Sequence, residues 1–316
     1  MKSILVTGGA GFIGSTLSDK LLGEGHKVVS LDNFDPYYPR PIKEKNMESA
    51  KENRNFTFIE GDIRDQNLLK KIIREHGVEH VFHMAARPGV RPSIENPGLY
   101  NDINEKGTIS LIFACLDSSV KKIVYSSSSS VYGNAEYLPT DEKHPTNPIS
   151  PYGVSKLAAE KYLHSYGILY GIKTISLRLF TVYGPRQRPD EAICKFANLA
   201  LQNKPVEVYG DGRSSRDFTY IGDIVAGHMA AMNSDISKEV FNLGSGRKIT
   251  VNEIIGMLEK SLGKKIKINY SEKQKGDVSS TLADIRKAGE MLDWKPKVEV
   301  GDGIKRFAEW VMAGQL

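Results

Sequence analysis

A glycine-rich turn near the N-terminus limits the fold of this chain more than any other feature of the sequence. The letters TGGAGFIG separate a β-type run at 2–7 from a helical pattern at 13–24. Gly8, Gly11 and Gly14 permit a tight turn and let a diphosphate approach the backbone, next to the free N–H groups that begin a helix. This strand–turn–helix context predicts a dinucleotide-binding βαβ unit, and a turn with a purely structural role is the alternative.

Short apolar runs alternate with helical patterns through the first half of the chain. Runs of this kind are typical of strands in a parallel sheet that helices cover on both faces. We therefore predict an α/β protein with a Rossmann-type doubly wound parallel sheet and a smaller C-terminal substrate-binding lobe. After the first strand and helix, the predicted strands are 27–32, 56–61, 79–84, 121–127 and 173–179, and the predicted helices are 66–76, 98–118 and 152–170.

The pattern changes after residue 180, where prolines and glycines divide the chain into shorter pieces. We expect residues 1–178 to form the dinucleotide-binding domain and residues 179–316 to form the smaller lobe. The segment near 219–243 is expected to fold back onto the first domain. The predicted helices of the second half are 222–233, 250–262 and 301–313.

Composition argues against several classes of partner. The net charge is +5 and the basic and acidic residues are interspersed, so no nucleic-acid partner is expected. The two cysteines, Cys115 and Cys194, are far apart, and they provide neither a disulfide framework nor a metal site. The N-terminus lacks the layout of a signal peptide and no apolar run has the length of a membrane span, so a soluble cytoplasmic protein is predicted.

An acidic residue ends the second predicted strand. Asp32 would accept hydrogen bonds from the adenosine ribose and repel a 2′-phosphate, which favours NAD over NADP. Arg40 and Lys43 follow closely and leave NADP open. Asp62, after the third strand, either holds a base or caps the next helix. His83, at the end of the fourth strand, has no partner at metal-ligand spacing and is assigned to the core.

A Tyr–x–x–x–Lys pair and a serine run are the predicted catalytic groups. Tyr152 and Lys156 lie four residues apart in a helical pattern, so both side chains face the same space. The ammonium, together with a positive nicotinamide, would bring the tyrosine pKa down from about 10 toward working pH. The serine run 126–130 ends the fifth strand, at the sheet edge where open α/β folds bind ligands. Ser128 is expected to bond the substrate oxygen while Tyr152 takes its proton.

With these motifs the chain resembles the extended short-chain dehydrogenase/reductase family, and within it the nucleotide-sugar epimerases of the UDP-glucose 4-epimerase type. The resemblance covers essentially the whole chain. It implies a UDP-sugar substrate, NAD as the cofactor, and a homodimer formed through the helices near 98–118 and 152–170. The motifs that carry it are TGGAGFIG, LDN, GDIRD, HMAA, SSSSSVYG, YGVSK, VYGPR and GDGRSSRDFTYIGD.

The resemblance also implies roles for single residues. Ser128 and Tyr152 would be the catalytic hydroxyls, with Lys156 orienting the nicotinamide ribose. Asn104 would support the active site, and Arg216 would hold the diphosphate of the UDP-sugar. The predicted cofactor-binding residues are Gly8, Gly11, Phe12, Ile13, Gly14, Asp32, Asn33, Asp62, Ile63, Ala85, Ala86, Asn104, Ser126, Tyr152, Lys156 and Phe180. The predicted substrate-binding residues are Ser127, Ser128, Ser130, Tyr152, Thr181, Arg188, Val208, Arg216, Asp277 and Thr281.

Local residues separate this chain from relatives with other reactions. Sugar 4,6-dehydratases carry an Asp-Glu pair where this chain has Ser129 and Ser130, so elimination of water is disfavoured. Ser130 also argues against UDP-glucuronate decarboxylation. The family often has asparagine where this chain has Thr181, and a second arginine of the diphosphate site is replaced by Gln274, which lies between two lysines.

The predicted reaction is transient oxidation and re-reduction of carbon 4 of the sugar. By the same resemblance, Thr281 would wall the sugar pocket and leave room for an N-acetyl group, so UDP-N-acetylglucosamine and UDP-glucose are the preferred substrates. The segments FTVYGP and RPSIENP resemble UDP-glucuronate 4-epimerases instead, and Arg186, Arg188 and the serine run could bind a carboxylate. A dehydrogenase, reductase or dehydratase on the same scaffold stays open, as does an inactive dinucleotide-sensing module.

Overall fold

Parallel strands dominate the computed structural model of this chain, which describes residues 1–272 and 280–314. Numbered along the chain, the strands are β1 (Ser3–Thr7), β2 (Lys27–Asp32), β3 (Phe56–Glu60), β4 (His80–His83), β5 (Lys122–Ser128), β6 (Lys173–Leu179), β7 (Thr181–Tyr183), β8 (Val206–Tyr209), β9 (Ser215–Arg216), β10 (Phe218–Tyr220), β11 (Glu239–Leu243), β12 (Ile249–Thr250) and β13 (Ile268–Ser271). Within the described ranges, seven of them form the central sheet in the order β11-β6-β5-β4-β1-β2-β3, and all neighbouring pairs are parallel.

Helices connect the strands. The α-helices are α1 (Phe12–Gly23), α2 (Arg40–Asn46), α3 (Glu48–Lys51), α4 (Gln66–His76), α5 (Val90–Glu95), α6 (Pro97–Tyr100), α7 (Gly107–Cys115), α8 (Pro151–Tyr170), α9 (Ala192–Leu201), α10 (Ile221–Asn233), α11 (Val251–Leu262), α12 (Arg286–Leu292) and α13 (Val300–Met312). A π-helix covers Asn101–Lys106, and a 3₁₀ turn covers Ser129–Val131. In the part of the chain that the structure describes, no helix is long and apolar enough to cross a membrane.

The strand order confirms the predicted fold class, a Rossmann-type doubly wound parallel sheet. From β1 the chain winds outward to β2 and β3, then returns to β4 on the other side of β1 and winds outward again. The winding direction reverses between β1 and β4. In open α/β sheets, ligands bind at the carboxyl ends of the strands beside this reversal.

Two apolar layers cover the central sheet, because successive side chains of a strand point to opposite faces. In β1, Ile4 and Val6 pack in the layer that contains Leu17 of α1 and Ile224 of α10. Leu5, between them, packs in the other layer with residues of α4, α7 and α8. Both faces of β1 are thus buried, as its unbroken apolar sequence indicated.

A third apolar cluster lies in the C-terminal half. It joins α9, α11 and α13, with Ile193, Ile254 and Phe307 almost fully buried. Among the described residues, three small two-stranded sheets accompany it, pairing β7 with β10, β8 with β13, and β9 with β12. By contrast, β11 pairs with β6 and extends the central sheet. The predicted domain boundaries stay a prediction.

The predicted helical stretch 98–118 is helical over most of its length, but it is not a single α-helix. α6 ends at Tyr100, the π-helix follows, and α7 ends at Cys115. A π-helix has the wider i→i+5 hydrogen-bond spacing, so it changes which side chains face inward. Asn104 lies within it and is buried.

Because β11 is part of the central sheet, we predict that its buried side chains contribute strongly to the free energy of unfolding. Phe241 in β11 is fully buried, so Phe241→Ala should lower the free energy of unfolding by about 3–5 kcal/mol. Tyr270→Ala in the exposed strand β13 is the control and should change it by less than about 0.5 kcal/mol. Denaturant unfolding measures both variants, and equal effects would contradict the burial of β11.

Candidate active site

A cavity of about 490 Å³ lies at the carboxyl edge of the central sheet. The segments that follow β1, β2, β4, β5 and β6 all contribute to its walls, so the parallel arrangement itself brings them together. The predicted site residues that line it are Gly8, Gly11, Phe12, Ile13, Gly14, Asp32, Asn33, Ile63, Ala85, Ala86, Ser126, Ser127, Ser128, Ser130, Tyr152, Lys156, Phe180, Thr181 and Arg188.

The glycine turn lines the cavity and packs too closely against neighbouring backbone to leave space for side chains. Gly8 has φ +70°, and a Cβ on it would lie 2.8 Å from the backbone nitrogen of Ala85 after β4. A Cβ on Gly14 would lie 2.3 Å from the carbonyl oxygen of Gly8. The backbone is therefore exposed to the cavity beside the N-terminus of α1, which fits the diphosphate of a dinucleotide.

Asp32 ends β2 and is held by two backbone N–H groups. Those of Ala10 and Phe34 donate to its carboxylate at 3.2 and 2.9 Å. Lys43 lies 3.9 Å from the same carboxylate and is itself buried. Burial raises the pKa of Asp32, and the Lys43 ammonium and the two N–H groups oppose the rise. Arg40, the other cation that left NADP open, pairs with Glu44 and with Glu60.

Asp62 does not line this cavity, and the alternative that it caps the following helix is wrong. The cap of α4 is Asp65, whose carboxylate accepts the N–H of Leu68. Asp62 instead accepts from Asn33 Nδ2 at 2.9 Å and pairs with Arg64. Those contacts, chiefly that of Arg64, lower the pKa of Asp62 to about 2. Asp62 thereby fixes Asn33, which does line the cavity.

The start of α8 places the catalytic pair. Ser150 caps the helix by accepting the N–H of Gly153, so Tyr152 and Lys156 follow on its first two turns. Burial raises the pKa of Tyr152, and a hydrogen bond with Ser128 opposes the rise. Burial lowers the pKa of Lys156 to about 7, and Glu160 opposes that change. In the protein alone, burial thus outweighs the groups that lower the pKa of Tyr152. The predicted fall of this pKa, which includes the charge of a bound nicotinamide, stays a prediction.

The serine run meets this pair from β5. Ser128 is the last residue of the strand, and its hydroxyl donates to Ser130 Oγ and accepts the Ser130 N–H, both at 3.1 Å. Behind it, Ser126 bonds His228 Nε2 at 2.8 Å, and the Ser127 hydroxyl donates to Glu160. The first three hydroxyls of the run are therefore each oriented by a neighbour.

Asn104 supports the site without lining the cavity. Its amide accepts the N–H of Arg87 at 2.7 Å and donates to the carbonyl of the same residue at 3.2 Å. It also donates to Ser155 Oγ at 2.9 Å on α8. It thus ties the loop after β4 to the helix that carries Tyr152 and Lys156.

The lobe contributes fewer of the predicted contacts. Thr181 and Arg188 line the cavity, whereas the described residues Val208, Arg216 and Thr281 do not. The Thr281 hydroxyl accepts the N–H of Asp217 at 3.2 Å, next in the chain after Arg216. Asp277, a predicted substrate-binding residue, and Gln274, which replaces the second arginine of the diphosphate site, lie outside the described residues.

Two predicted cations of the lobe have different settings. Arg186 pairs with Asp19 of α1 at 2.8 Å and lies outside the cavity lining. Arg188 faces the cavity and pairs with Asp190 and Glu191, at 3.0 and 2.8 Å.

Sequence reasoning missed Asp35, Tyr37 and Arg87, which line the cavity together with the predicted Arg188. The centre of the Tyr37 ring lies 4.7 Å from the guanidinium group of Arg87 and 5.7 Å from that of Arg188. The Tyr37 hydroxyl donates to Asp190 at 3.2 Å, and Arg87 pairs with Asp35. These residues come from three separate loops and share no spacing pattern, so the sequence carried no motif for them.

His83 and the cysteines lie in the protein interior. His83 bonds the hydroxyls of Thr7 and Thr108 at 2.8 and 2.9 Å, as its assignment to the core predicted. Cys115 and Cys194 are buried and unpaired with each other. Over residues 1–272 and 280–314, no group of three or more His, Cys, Asp and Glu side chains is placed to hold a metal ion.

Known proteins share both the sequence and the fold of this chain. A family model described as GDP-mannose 4,6 dehydratase matches residues 5–307. A UDP-glucuronate 4-epimerase of Thermodesulfobacterium geofontis is 42% identical over 308 residues, which cover 97% of this chain and 95% of that protein.

Solved structures agree closely. UDP-glucuronic acid 4-epimerase from Bacillus cereus, in complex with UDP-glucuronic acid and NAD, is 38% identical with a TM-score of 0.94, covering 98% of this chain and 99% of that one. UDP-glucose 4-epimerase from Thermotoga maritima, with UDP-glucose, is 36% identical with a TM-score of 0.92, covering 99% of this chain and 100% of that one.

The setting of Asp32 predicts the choice of dinucleotide. A hydrogen bond to a charged group contributes about 1.5–3 kcal/mol, so Asp32→Ala should weaken NAD binding by roughly tenfold or more and narrow the preference over NADP. Titration calorimetry with both dinucleotides measures this. Asp65→Ala, which removes the cap of α4 away from the cavity, is the control. Tighter binding of NADP than NAD by the unaltered protein would contradict the assignment.

Proposed function

Since the chain belongs to the GDP-mannose 4,6-dehydratase family, and within it to the UDP-sugar 4-epimerases, we propose that it inverts carbon 4 of a UDP-sugar with NAD as its cofactor. It is therefore an isomerase. The observation that carries the proposal is one cavity lined by the glycine turn, Ser128, Tyr152 and Lys156.

The cavity fits NAD. The turn from Gly8 to Gly14 and the start of α1 would take the diphosphate, Asp32 the adenosine ribose, and Lys156 the nicotinamide ribose. When bound, NAD supplies the reversible acceptor for the hydrogen of carbon 4.

Tyr152 is the residue that exchanges a proton with the 4-hydroxyl group of the sugar. It accepts that proton as carbon 4 is oxidised and returns it when the carbon is reduced from the other face. Ser128, which lines the same cavity as Tyr152, bonds the sugar oxygen. Because burial raises the pKa of Tyr152, the phenolate depends on positive charge nearby, and Arg188 opposes the rise. The ammonium of Lys156, one helical turn along α8, would add to this positive charge.

The residues beside Ser128 argue against elimination of water. Ser129 and Ser130 line the cavity where the 4,6-dehydratases carry acidic residues. A serine hydroxyl does not titrate near neutral pH, so neither residue can act as the acid or base of an elimination. Inversion at one carbon is the reaction that the remaining groups support.

We place UDP-glucuronate first among the substrates. A carboxylate at carbon 5 needs several donors or a cation, and the cavity offers the hydroxyls of Ser129, Ser130 and Thr181. Arg188 also lines the cavity, where it is paired with Asp190 and Glu191. The relative of 42% identity is also named a UDP-glucuronate 4-epimerase. UDP-N-acetylglucosamine, which the sequence favoured, takes second place, because Thr281 does not line the described cavity and its hydroxyl bonds Asp217.

A homodimer and a cytoplasmic location stay predictions. The exposed Phe113 on α7, with Tyr162, Ile168 and Leu169 on α8, supports an interface on these two helices.

The role of Tyr152 predicts a loss of rate without a loss of fold. Tyr152→Phe removes only the titrating hydroxyl, so kcat should fall by at least about a hundredfold while NAD binding persists. Coupled epimerisation assays and calorimetry measure the two properties. Tyr162→Phe, an exposed tyrosine on the same helix, is the control. Near-normal turnover by Tyr152→Phe would remove this residue from the mechanism.

The order of substrates predicts the outcome of a direct comparison. UDP-glucuronate should show a higher kcat/KM than UDP-glucose or UDP-N-acetylglucosamine when the products of each are separated by chromatography. Thr181→Val removes one donor at constant size, so kcat/KM for UDP-glucuronate should fall roughly tenfold while that for UDP-glucose changes less. Preference for UDP-N-acetylglucosamine, abolished by Thr281→Tyr, would instead establish the second candidate.

A further inference from the structure

A buried ion pair lies directly behind the catalytic helix face. Glu160 on α8 and Arg178 on β6 are joined by two hydrogen bonds, from Nε at 3.0 Å and from Nη2 at 2.8 Å. Their side chains are 2% and 4% exposed. The Ser127 hydroxyl also donates to Glu160. Removing two charges from water costs several kcal/mol per ion, so such a pair is not explained by stability alone.

The position of Glu160 on α8 aligns the Glu160–Arg178 ion pair with the catalytic residues. Tyr152, Lys156 and Glu160 follow each other at intervals of four residues, so they form one row along the face of α8 that turns toward β5 and β6. Arg178 extends the row from the sheet. Along it the charges alternate, from the Arg178 cation through the Glu160 carboxylate and the Lys156 ammonium to the phenolate that Tyr152 must form.

Few other groups around Lys156 stabilise its ammonium form. Its ammonium lies 4.5 Å from the centre of the Tyr125 ring on β5, and it is 3% exposed. His83 on β4 is neutral at physiological pH, since burial lowers its pKa to about 3. Burial likewise lowers the pKa of Lys156 to about 7, and Glu160 is the charged group that opposes this.

We propose that Glu160 and Arg178 are positioning residues that hold Lys156 in its ammonium form. Arg178 satisfies the buried carboxylate of Glu160, and that carboxylate in turn stabilises the ammonium. The consequence for Tyr152 rests on the proposed function, whereas the state of Lys156 does not.

The remaining titratable groups near the row do not replace Glu160. Tyr125 is buried, and burial raises its pKa well above the usual value, so it carries no charge. Burial also raises the pKa of Tyr132, which faces Arg178. Glu105 on the π-helix is held by the side-chain amide of Asn101, which donates to its carboxylate at 2.9 Å.

The first test reads Lys156 directly in the cofactor-free protein. Acetic anhydride reacts with the neutral amine, and peptide mass spectrometry follows the labelling of Lys156 against the exposed Lys161 as internal standard. Without the carboxylate the ammonium is less stable, so its pKa falls. In Glu160→Gln the midpoint of labelling should move to lower pH by about one unit, which is about a tenfold loss of ammonium at a fixed pH above it.

A double variant covers the case in which Glu160→Gln does not fold. Glu160→Leu with Arg178→Met replaces both charges by apolar groups, a change that buried ion pairs often tolerate. It leaves no unpaired buried charge, yet Lys156 still loses its carboxylate, so the same shift is expected. Leu163→Ala, a buried apolar residue of α8, is the matched control, because it lowers stability and leaves every charge in place.

The second test reads catalysis. The alkaline limb of the pH profile of kcat should move to lower pH in Glu160→Gln and in the double variant, with little change in KM. Leu163→Ala, and Glu160→Asp, which keeps the carboxylate, should retain the alkaline limb of the unaltered protein. A labelling midpoint of Lys156 that does not move in Glu160→Gln or in the double variant would overturn the proposal. A labelling shift without any epimerisation by the unaltered protein would instead overturn the proposed function and leave the role of Glu160 standing.

Discussion

Parallel pairing of β1 with β4 is the constraint on which the rest of this molecule depends. It sets the point where the winding of the sheet reverses, and it places the glycine turn against the loop that follows β4. Because every neighbouring strand is also parallel, Asp32, the serine run and Thr181 arrive at the same edge. A site assembled from distant parts of the chain thus follows from a single sheet.

Burial gives this site its chemical character. Within the cavity wall it raises the pKa of Tyr152 and lowers that of Lys156, so both groups are driven toward their neutral forms. A base that must become a phenolate therefore needs fixed charges of the right sign close by. The row of Tyr152, Lys156 and Glu160 along one face of α8, with Arg178 next to it on β6, supplies them. The same low polarity that penalises an isolated charge strengthens each interaction within the row.

Patterns local in sequence predicted much of this account. The spacing of apolar residues predicted the strands and helices of the central sheet. The glycine turn, Asp32 and the Tyr152–Lys156 pair could be predicted because the end of one strand, or the residue spacing of one helix, is enough to place each of them. The π-helix was missed because hydrophobic periodicity does not separate it from an α-helix. The contact of Tyr37 with Asp190 joins residues 153 positions apart, so only the tertiary fold reveals it.

Carbon 4 of the sugar is, on this proposal, oxidised and reduced within one site without release of its hydrogen to solvent. Epimerisation of UDP-glucuronate in D₂O, followed by proton NMR, tests this most directly. The account predicts that the galacto product forms with its original hydrogen still on carbon 4, because that hydrogen never exchanges with solvent. Deuterium at carbon 4, which indicates removal of the hydrogen as a proton, would contradict it.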